Sequence, residues 1–296
     1  MSNNTKPVYE DESVSLYHCD VLRILHEIPE QEIQAVITSP TYWGKRQFTD
    51  DDSEFGCESL EDYIERNVHL YSSLLDRMHT GGSIFIVIQD SFMGSGVSRS
   101  HHNHWISGDA YKRNGIDSKK QGNTSSVTAG HRTIKNKSLC GIPYRIALAL
   151  VDRGYIWRQQ IIWQKPNPMP ENVQDRTWQS VEYILHFTNA SKYKFNKSAL
   201  MVKGINGNLR LPNQVMTAPP EPKIGHSATF PTRIVEKLLL TVTDENDLVF
   251  EPFLGSGTML QLSLKHGRRF IGCDICQDFV RNAVEIVQSS RLSLLA

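Results

Sequence analysis

Short apolar runs alternate with amphipathic stretches along most of the chain, and this alternation constrains the fold more than any other feature. Runs of strand length occur at Ser13–His18, Ile33–Thr38, Ser83–Ile88, Ile156–Trp163, Val181–Phe187, Asp247–Phe250 and Arg269–Cys273. Amphipathic stretches typical of helices occur at Ser59–Met78, Ile142–Arg153, Thr232–Thr241, Thr258–His266 and Gln277–Ser289. Strands that alternate with helices form a mainly parallel sheet with helices on both faces. The sequence therefore predicts an α/β fold.

One pair of strands breaks this alternation. No helical stretch separates Ile156–Trp163 from Val181–Phe187, so these strands predict an antiparallel hairpin at one edge of the sheet. The chain has 296 residues, which suits one large α/β domain, and we expect residues 1–296 to form a single domain.

Two long segments lack any periodicity and have an excess of basic over acidic residues. Residues 91–138 contain eight Lys or Arg against two Asp, and residues 188–225 contain six against one Glu, although the whole chain has 32 basic and 32 acidic residues. Basic segments in a neutral chain suggest a face suited to phosphates. Ordinary solvated loops explain the same pattern, so the charge alone leaves both interpretations open.

The bulk composition bounds the class of protein. No run of 18 apolar residues is present, so no transmembrane helix is expected. The five cysteines predict a reduced, cytoplasmic protein rather than a disulfide framework. Cys273 and Cys276 have no second pair at metal-ligand spacing, and the tract His101–His104 is short, so we expect no metal site.

A glycine-rich turn near the C-terminus predicts a nucleoside-binding crevice. Leu248 to Thr258 runs from a strand through Gly255 and Gly257 into a helix, whose N-terminus offers free N–H groups. The next strand ends at Asp274, where a carboxylate is placed to accept hydrogen bonds from a ribose diol. The glycines alone fit a plain tight turn equally well. The three-glycine dinucleotide fingerprint is absent, which argues against a nicotinamide or flavin enzyme.

The segment that follows the strand Ile33–Thr38 predicts a site for a planar group. Ser39, Pro40, Thr41, Tyr42 and Trp43 follow the strand, at the end where open α/β sheets place their chemistry. The two aromatic residues are suited to stack on a base, while Ser39 and the Pro40 carbonyl are suited to accept hydrogen bonds from an amino group. The alternative is a hydrophobic anchor for a loop.

These two segments together resemble the amino-methyltransferases of DNA, whose signatures are S/D/N-P-P-Y/F/W and D-P-F-x-G-S-G-T. This chain has Thr38-Ser39-Pro40-Thr41-Tyr42-Trp43 and, later, Glu251-Pro252-Phe253-Leu254-Gly255-Ser256-Gly257-Thr258. The catalytic segment precedes the cofactor segment, which is the order of the permuted β-class. The resemblance implies a permuted Rossmann-like methyltransferase fold with a mostly parallel sheet.

Three further segments extend the resemblance over nearly the whole chain. Residues 15–22 resemble the family's first strand, 161–170 the segment that lines the target-base pocket, and 226–231 the H-P-A-x-F-P segment that packs on the cofactor. The resemblance implies S-adenosylmethionine as cofactor and double-stranded DNA as partner, with a cognate restriction endonuclease acting on the same site. The implied catalytic residues are Ser39, Pro40 and Tyr42. The implied cofactor-binding residues are Asp20, Phe230, Glu251, Phe253, Gly255, Gly257, Thr258 and Asp274. The residues expected to contact the base or DNA are Trp43, Trp163, Lys165, Lys192, Lys194 and Lys197.

The resemblance also bears on the target base. Ser before the proline is associated with cytosine in this family, so we expect methylation at the N4 amino group of a flipped-out cytosine. An N6-adenine enzyme is the alternative, because a serine hydroxyl also accepts from adenine. Thr41 and Ser227 stand where the family has prolines, and Val181 where close relatives have histidine, so a catalytically weakened DNA-binding relative is a further alternative. We expect residues 188–225 to recognise the target sequence and residues 91–138 to form a second DNA-facing loop.

Overall fold

All seven predicted strands form in the computed structural model, which describes residues 5–45, 48–49, 54–94, 131–221 and 231–294. The strands are β1 (Tyr9–Glu10), β2 (Val14–His18), β3 (Ile33–Thr38), β4 (Met78–Ile88), β5 (Ile156–Gln164), β6 (Val181–Thr188), β7 (Val202–Lys203), β8 (Leu209–Arg210), β9 (Val215–Thr217), β10 (Leu248–Glu251) and β11 (Arg269–Asp274). The helices are α1 (Leu60–Ser72), α2 (Ile142–Asp152), α3 (Lys197–Leu200), α4 (Thr232–Val242), α5 (Thr258–Lys265) and α6 (Gln277–Leu294). Short 3-10 helices occur at Val21–Arg23 and Leu75–Arg77.

One nine-stranded sheet organises the fold, with the strand order β1-β2-β11-β10-β3-β4-β6-β5-β9. The strands from β2 to β4 are parallel, and β6 is antiparallel to both β4 and β5. The predicted antiparallel hairpin therefore forms at one end of the sheet, and one short strand extends the sheet beyond it. The three-residue strand β9 pairs with β5 in parallel and takes the edge, while β1 takes the other edge.

The central strands are rich in apolar residues because both faces of the sheet are covered. All six residues of β3 are buried, as expected for a strand between two helical layers. On one face the core contains Tyr63 of α1 and Ile146 of α2. On the other face it contains Leu238 of α4, Met259 of α5 and Ala283 of α6. Parallel strands with helices on both faces place their loops, and hence the chemistry, at the carboxyl ends of the strands.

Helix α1 begins as its sequence predicts and ends earlier. The Ser59 hydroxyl oxygen accepts from the backbone N–H of Asp62 at 3.1 Å, which satisfies one free donor of the first turn. The helix ends at Ser72, and β4 already begins at Met78. Gly81 and Gly82 lie inside β4 rather than at the helix exit. A Cβ at Gly81 would come within 2.9 Å of the Lys192 carbonyl oxygen, so this position requires glycine for a close backbone approach.

The described part of the irregular segment, residues 189–221, holds only short elements, namely α3, the β7–β8 hairpin and β9. Most of the other irregular segment, residues 95–130, lies outside the described residues, as does 222–230 with Phe230. Among the helices that the structure describes, none combines the length and apolarity needed to cross a bilayer.

Candidate active site

A cavity of about 440 Å³ opens at the carboxyl ends of the parallel strands. Strands β3 and β10 are neighbours in the sheet, so the segment after Thr38 and the glycine-rich turn after Glu251 both lie at its lining. The loops that follow β2 and β11 and the paired ends of β5 and β6 complete the walls. Two segments that are more than 200 residues apart in the sequence thus line one cavity.

Asp274 holds the glycine-rich turn in place. One of its carboxylate oxygens accepts from the backbone N–H of Gly255 and the other from that of Cys276, both at 2.9 Å. Burial raises the pKa of Asp274 to about 6, and these backbone hydrogen bonds oppose the rise. The carboxylate lines the cavity with lone pairs to spare, which suits it to accept hydrogen bonds from hydroxyl groups of a ligand.

The two glycines of the turn have different roles. Gly255 lines the cavity, whereas Gly257 is not among the residues that line it. Gly257 precedes α5 with φ of 74°, and a Cβ there would lie 2.7 Å from the Ile286 Cδ1 atom of α6. We therefore revise its predicted role from ligand approach to turn formation and helix packing. The buried Thr258, the first residue of α5, does line the cavity.

Glu251 is a buried carboxyl group at the junction of the two halves of the site. It is 2% exposed, and it accepts from the Thr38 hydroxyl and from the Phe253 backbone N–H, the latter at 3.2 Å. Burial raises the pKa of Glu251 well above its usual range, so the neutral form is favoured. The ring of Phe253 lines the cavity and meets Phe55 edge to face at 5.0 Å.

Asp20 approaches the cavity from the end of β2. Its Oδ1 atom accepts from the Leu22 backbone N–H at 2.8 Å, and its Oδ2 atom lies 3.2 Å from the Arg66 guanidinium. The guanidinium also lies 4.0 Å from the centre of the Phe55 ring. The Asp20 carboxylate is therefore held in a fixed orientation on the same wall as Phe55.

The catalytic segment meets a charged pair on β5 and β6. The Tyr42 hydroxyl donates to Glu182 Oε2 at 2.5 Å, and the Lys165 ammonium donates to the other oxygen, Oε1. Burial and the neighbouring Glu182 raise the pKa of Tyr42 well above its usual range, so the hydroxyl keeps its proton. Ser39 and Pro40 line the same part of the cavity. Tyr42, Glu182 and Lys165 form one cluster, which we name the base-side cluster.

Lys165 also lies against an aromatic wall. Its Nζ atom is 5.0 Å from the centre of the Trp163 ring, and Trp163 is fixed by a 2.8 Å hydrogen bond from its Nε1 to the Ala218 carbonyl. The Lys165 side chain is 18% exposed and lines the cavity. An ammonium group has three donors, and Glu182 accepts only one of them.

Trp43 does not lie in the cavity. Its side chain is 2% exposed in the core, and its Nε1 donates to the Glu58 carbonyl at 2.9 Å. We therefore correct its predicted role from a contact with the base to an anchor for the catalytic segment. A hydrophobic anchor for a loop was the alternative interpretation of the two adjacent aromatic residues, and it applies to Trp43.

Lys192, Lys194 and Lys197 lie at the opposite end of the sheet from the cavity. Strand β6 runs antiparallel to its neighbour β4, so the residues after Thr188 emerge at the amino ends of the parallel strands. The Lys194 N–H donates to the Gly81 carbonyl, and its ammonium pairs with Asp247 at 2.6 Å, just before β10. The structure does not bring these lysines to the cavity, and we no longer assign them a contact with the flipped base.

Glu182 lies at the centre of the base-side cluster, although sequence reasoning did not select it. The only signal is an acidic residue within an apolar strand, where a buried charge requires a partner. Lys45, Phe48 and Phe279 also line the cavity and were not predicted. Lys45 and Phe48 lie outside any helix or strand and carry no periodic pattern, and the helical pattern of Gln277–Leu294 does not show that Phe279 faces a cavity.

Comparisons with known proteins agree with this geometry. A family model described as DNA methylase matches residues 33–285. Type II methyltransferase M.Cfr9I from Citrobacter freundii is 30% identical over 284 residues, which cover 95% of this chain and 90% of that protein. Type II methyltransferase M.SmaI from Serratia marcescens is 27% identical over 275 residues, covering 92% and 90%.

Solved structures match over nearly the whole chain. The PvuII DNA methyltransferase (cytosine-N4-specific) superposes with a TM-score of 0.69 at 16% identity, covering 97% of this chain and 95% of that one. TTHA0409 from Thermus thermophilus, complexed with S-adenosyl-L-methionine, superposes with a TM-score of 0.59 at 20% identity, covering 93% of each chain. The expected Rossmann-like methyltransferase fold is therefore confirmed.

Proposed function

Because this chain belongs to the DNA methylase family of N6- and N4-amino methyltransferases, we propose that it methylates the N4 amino group of cytosine in DNA, with S-adenosylmethionine as the methyl donor. One observation carries the proposal. The glycine-rich turn with Asp274 and the segment Ser39 to Tyr42 line a single cavity. A nucleoside-like cofactor on one wall and a planar base on the other would meet in that cavity.

The cofactor wall has the donors and acceptors that S-adenosylmethionine needs. Asp274 and Asp20 offer carboxylate oxygens for the ribose hydroxyls and the adenine amino group, and Phe253 offers an apolar surface for the adenine ring. The N-terminus of α5, at Thr258, contributes partial positive charge and free N–H groups. The cavity volume lies in the range of ligand sites of this size. When bound, the cofactor supplies an electrophilic methyl group on a sulfonium centre.

The base wall suits a cytosine that has left the duplex. The exocyclic amino group cannot be reached inside the double helix, so the nucleotide must be flipped out. Ser39 and the Pro40 carbonyl would accept the amino hydrogens and turn the nitrogen lone pair toward the methyl group. Tyr42 would contact the ring, a kind of contact worth about 1–3 kcal/mol per base. Catalysis then depends mainly on positioning.

Lys165 supports cytosine over adenine. Its remaining N–H donors face the cavity, next to the wall that would hold the base. Cytosine presents two acceptors, N3 and O2, beside its amino group, whereas adenine presents only N1 along the same edge. A side chain that only donates hydrogen bonds therefore finds two acceptor atoms in cytosine at this position and one in adenine.

DNA is the proposed binding partner of this protein. A nuclease that acts on the same DNA sequence is a second proposed partner, because the similar proteins M.Cfr9I and M.SmaI are Type II methyltransferases. Within the expected recognition region 188–225, the part after β9 is the best candidate, because Pro220 reaches the cavity. Segment 91–138 stays a proposed second DNA-facing loop. Its described end carries the exposed residues Arg132 and Lys135 beside the carboxyl end of β4.

Nucleoside analysis tests the proposal. DNA of mixed sequence is incubated with the purified protein and isotopically labelled S-adenosylmethionine, digested to nucleosides and separated by mass spectrometry. We expect labelled N4-methylcytosine. Labelled N6-methyladenine alone would contradict the cytosine assignment, and no labelled nucleoside at all would support the weakened DNA-binding relative.

A further inference from the structure

The loop that connects β5 and β6, residues 165–180, carries an exposed apolar side chain at the mouth of the cavity. Met169 is 77% exposed, yet it is one of the residues that line the cavity, together with Asn167 and Lys165 of the same loop. The methionine contributes little to the core in this position. We name residues 165–180 the rim loop.

The rim loop is fixed at both ends and braced across its middle. The Lys165 N–H donates to the Ser180 carbonyl at 2.8 Å, and the Gln179 N–H donates to Glu171 at 3.0 Å. Glu171 also pairs with Arg176 at 2.6 Å, and that guanidinium lies 4.0 Å from the centre of the Phe92 ring, after β4. The loop is therefore held against the body of the protein.

Prolines on both sides of Met169 restrict its backbone further. Pro168 and Pro170 flank it directly, and Pro166 begins the same run. Proline fixes φ near −65° and limits the residue before it, so little backbone freedom remains to be lost on binding. A rigid loop thus presents an unbranched apolar side chain to solvent beside the entrance of the cavity.

We propose that Met169 is a wedge that enters the DNA duplex and occupies the space left in the base stack by the flipped nucleotide. This inference rests on the proposed function. A base that enters the cavity passes the rim, so the gap in the stack lies next to the rim loop. Methionine is among the apolar side chains that proteins insert between base steps, and its flexible thioether adapts to an irregular gap.

Charge around the rim fits this occupant. Arg132 and Lys135 are exposed on the segment that pairs with residues 92–93 after β4, on the same side of the sheet as the cavity. Phosphates on either side of the flipped nucleotide would find these cations within the same face. Duplex DNA offers stacked bases for the apolar side chain of Met169 and phosphates for Arg132 and Lys135.

The experiment compares paired and mismatched target bases. The target sequence is first read from the methylation pattern of DNA in a host that expresses the wild-type protein. Synthetic duplexes then carry the target cytosine opposite guanine or opposite a mismatched base, and kcat/KM for methyl transfer is measured for the wild type and for Met169→Ala. A mismatched base costs less to extrude, so a wedge matters less for it.

We expect Met169→Ala to lower kcat/KM about tenfold or more on the paired duplex and much less on the mismatched one. Met169→Leu should stay near the wild type, because leucine also fills the gap. Leu148→Ala is the matched control, because Leu148 is 60% exposed on α2 and lies outside the cavity lining. Melting temperature and cofactor affinity are measured for each variant and should not change.

Two results would overturn the wedge. One is unchanged activity of Met169→Ala on the paired duplex, and the other is an equal loss on paired and mismatched duplexes. Fluorescence of 2-aminopurine at the target position gives a second measurement, and its rise on binding should be weaker for Met169→Ala. A wild-type protein that methylates no DNA would instead contradict the proposed function, so the two failures are distinguishable.

Discussion

The Thr38 hydroxyl donates a hydrogen bond to the Glu251 carboxyl group, across the neighbouring strands β3 and β10. Thr38 precedes the catalytic segment, and Glu251 precedes the glycine-rich turn. This buried bond therefore fixes the spacing between the two walls of the cavity.

Replacement of Glu251 tests this link. Glu251→Ala leaves the Thr38 hydroxyl and the Phe253 N–H without their acceptor and creates a small void, so we expect a loss of roughly 2–4 kcal/mol in the free energy of unfolding. Glu251→Gln keeps an acceptor oxygen and, like the favoured form of Glu251, is neutral. It should lose less than about 1 kcal/mol. Urea denaturation measures both, and equal losses would show that the bond to Thr38 contributes nothing.

Asp274 predicts a pH-dependent difference in stability. Its pKa rises on folding to about 6, so the folded state binds more protons than the unfolded state between about pH 4 and pH 6. The contribution of Asp274 to stability therefore falls as the pH rises through this window. Asp274→Asn is always neutral. Its stability relative to the wild type should increase by about 1–3 kcal/mol from pH 4 to pH 7, measured by denaturation at each pH.

The same variant should bind the cofactor poorly. Asp274→Asn replaces one acceptor oxygen with a donor, which leaves one polar group of the ligand without its partner. We expect the affinity for S-adenosylmethionine to fall at least about tenfold as a result. Calorimetry at pH 7.5 measures this loss. Glu236→Gln, at the end of a surface ion pair with Lys265, is the control and should bind like the wild type.

Gly257 should matter for stability more than for ligand contact. Gly257→Ala forces a side chain into the left-handed region and places its Cβ against Ile286 Cδ1, so we expect a loss of about 1–3 kcal/mol. Adding Ile286→Val removes the Cδ1 atom and should recover part of the loss while the backbone strain stays. Thermal melting of the single and double variants decides the point. No recovery would mean that the contact with Ile286 is unimportant.

The base-side cluster predicts a graded effect on turnover. Tyr42→Phe loses the hydrogen bond to Glu182 but keeps the ring, and should reduce kcat/KM about tenfold, in line with a bond to a charged group. Tyr42→Ala also loses the ring and should reduce it further. Both should bind S-adenosylmethionine nearly as the wild type does, because the Tyr42 hydroxyl bonds to Glu182 on β6, which β3 and β4 separate from β10 in the sheet. Full turnover by Tyr42→Ala would remove it from the site.

DNA affinity distinguishes the two basic surfaces. Neutralising Arg132 and Lys135 should weaken DNA binding and make it less dependent on salt. The slope of the logarithm of the binding constant against the logarithm of the salt concentration should fall by up to about 0.9 for each phosphate that the variant no longer neutralises. Neutralising Lys192, Lys194 and Lys197 should leave this slope unchanged, because they lie at the far end of the sheet. The opposite result would place DNA on the surface away from the cavity.

The sequence was sufficient to predict the elements that its local pattern determines. Strand β3 has the predicted bounds Ile33–Thr38, because a mainly apolar run of this length is most stable when it is buried on both faces of a parallel sheet. Ser59, where the predicted helical stretch begins, is the N-cap of α1. Strands β1 and β9 were not predicted, since two or three residues carry no periodicity and pair only after the sheet exists.

The candidate site was predicted in part, and two of the errors have their origin in topology. Asp274, Gly255 and Ser39 line the cavity as expected because each follows a parallel strand at its carboxyl end. The cluster at Lys192 was assigned to DNA from charge alone, although the antiparallel direction of β6 sends it to the other end. Glu182 escaped notice because its partners, Tyr42 and Lys165, lie on other segments of the chain.

Strands β2 and β3 follow one another in the chain, but β10 and β11 lie between them in the sheet. During synthesis β2 can pair only with β1, and β3 only with β4, until residues 248–274 have left the ribosome, so each keeps one edge unpaired. Pairings between such distant segments slow folding and leave apolar edges open to association with other chains. The nascent protein has only one wall of its cavity for most of that time. Its site is completed in a single late step, when the last two strands are inserted into the middle of the sheet.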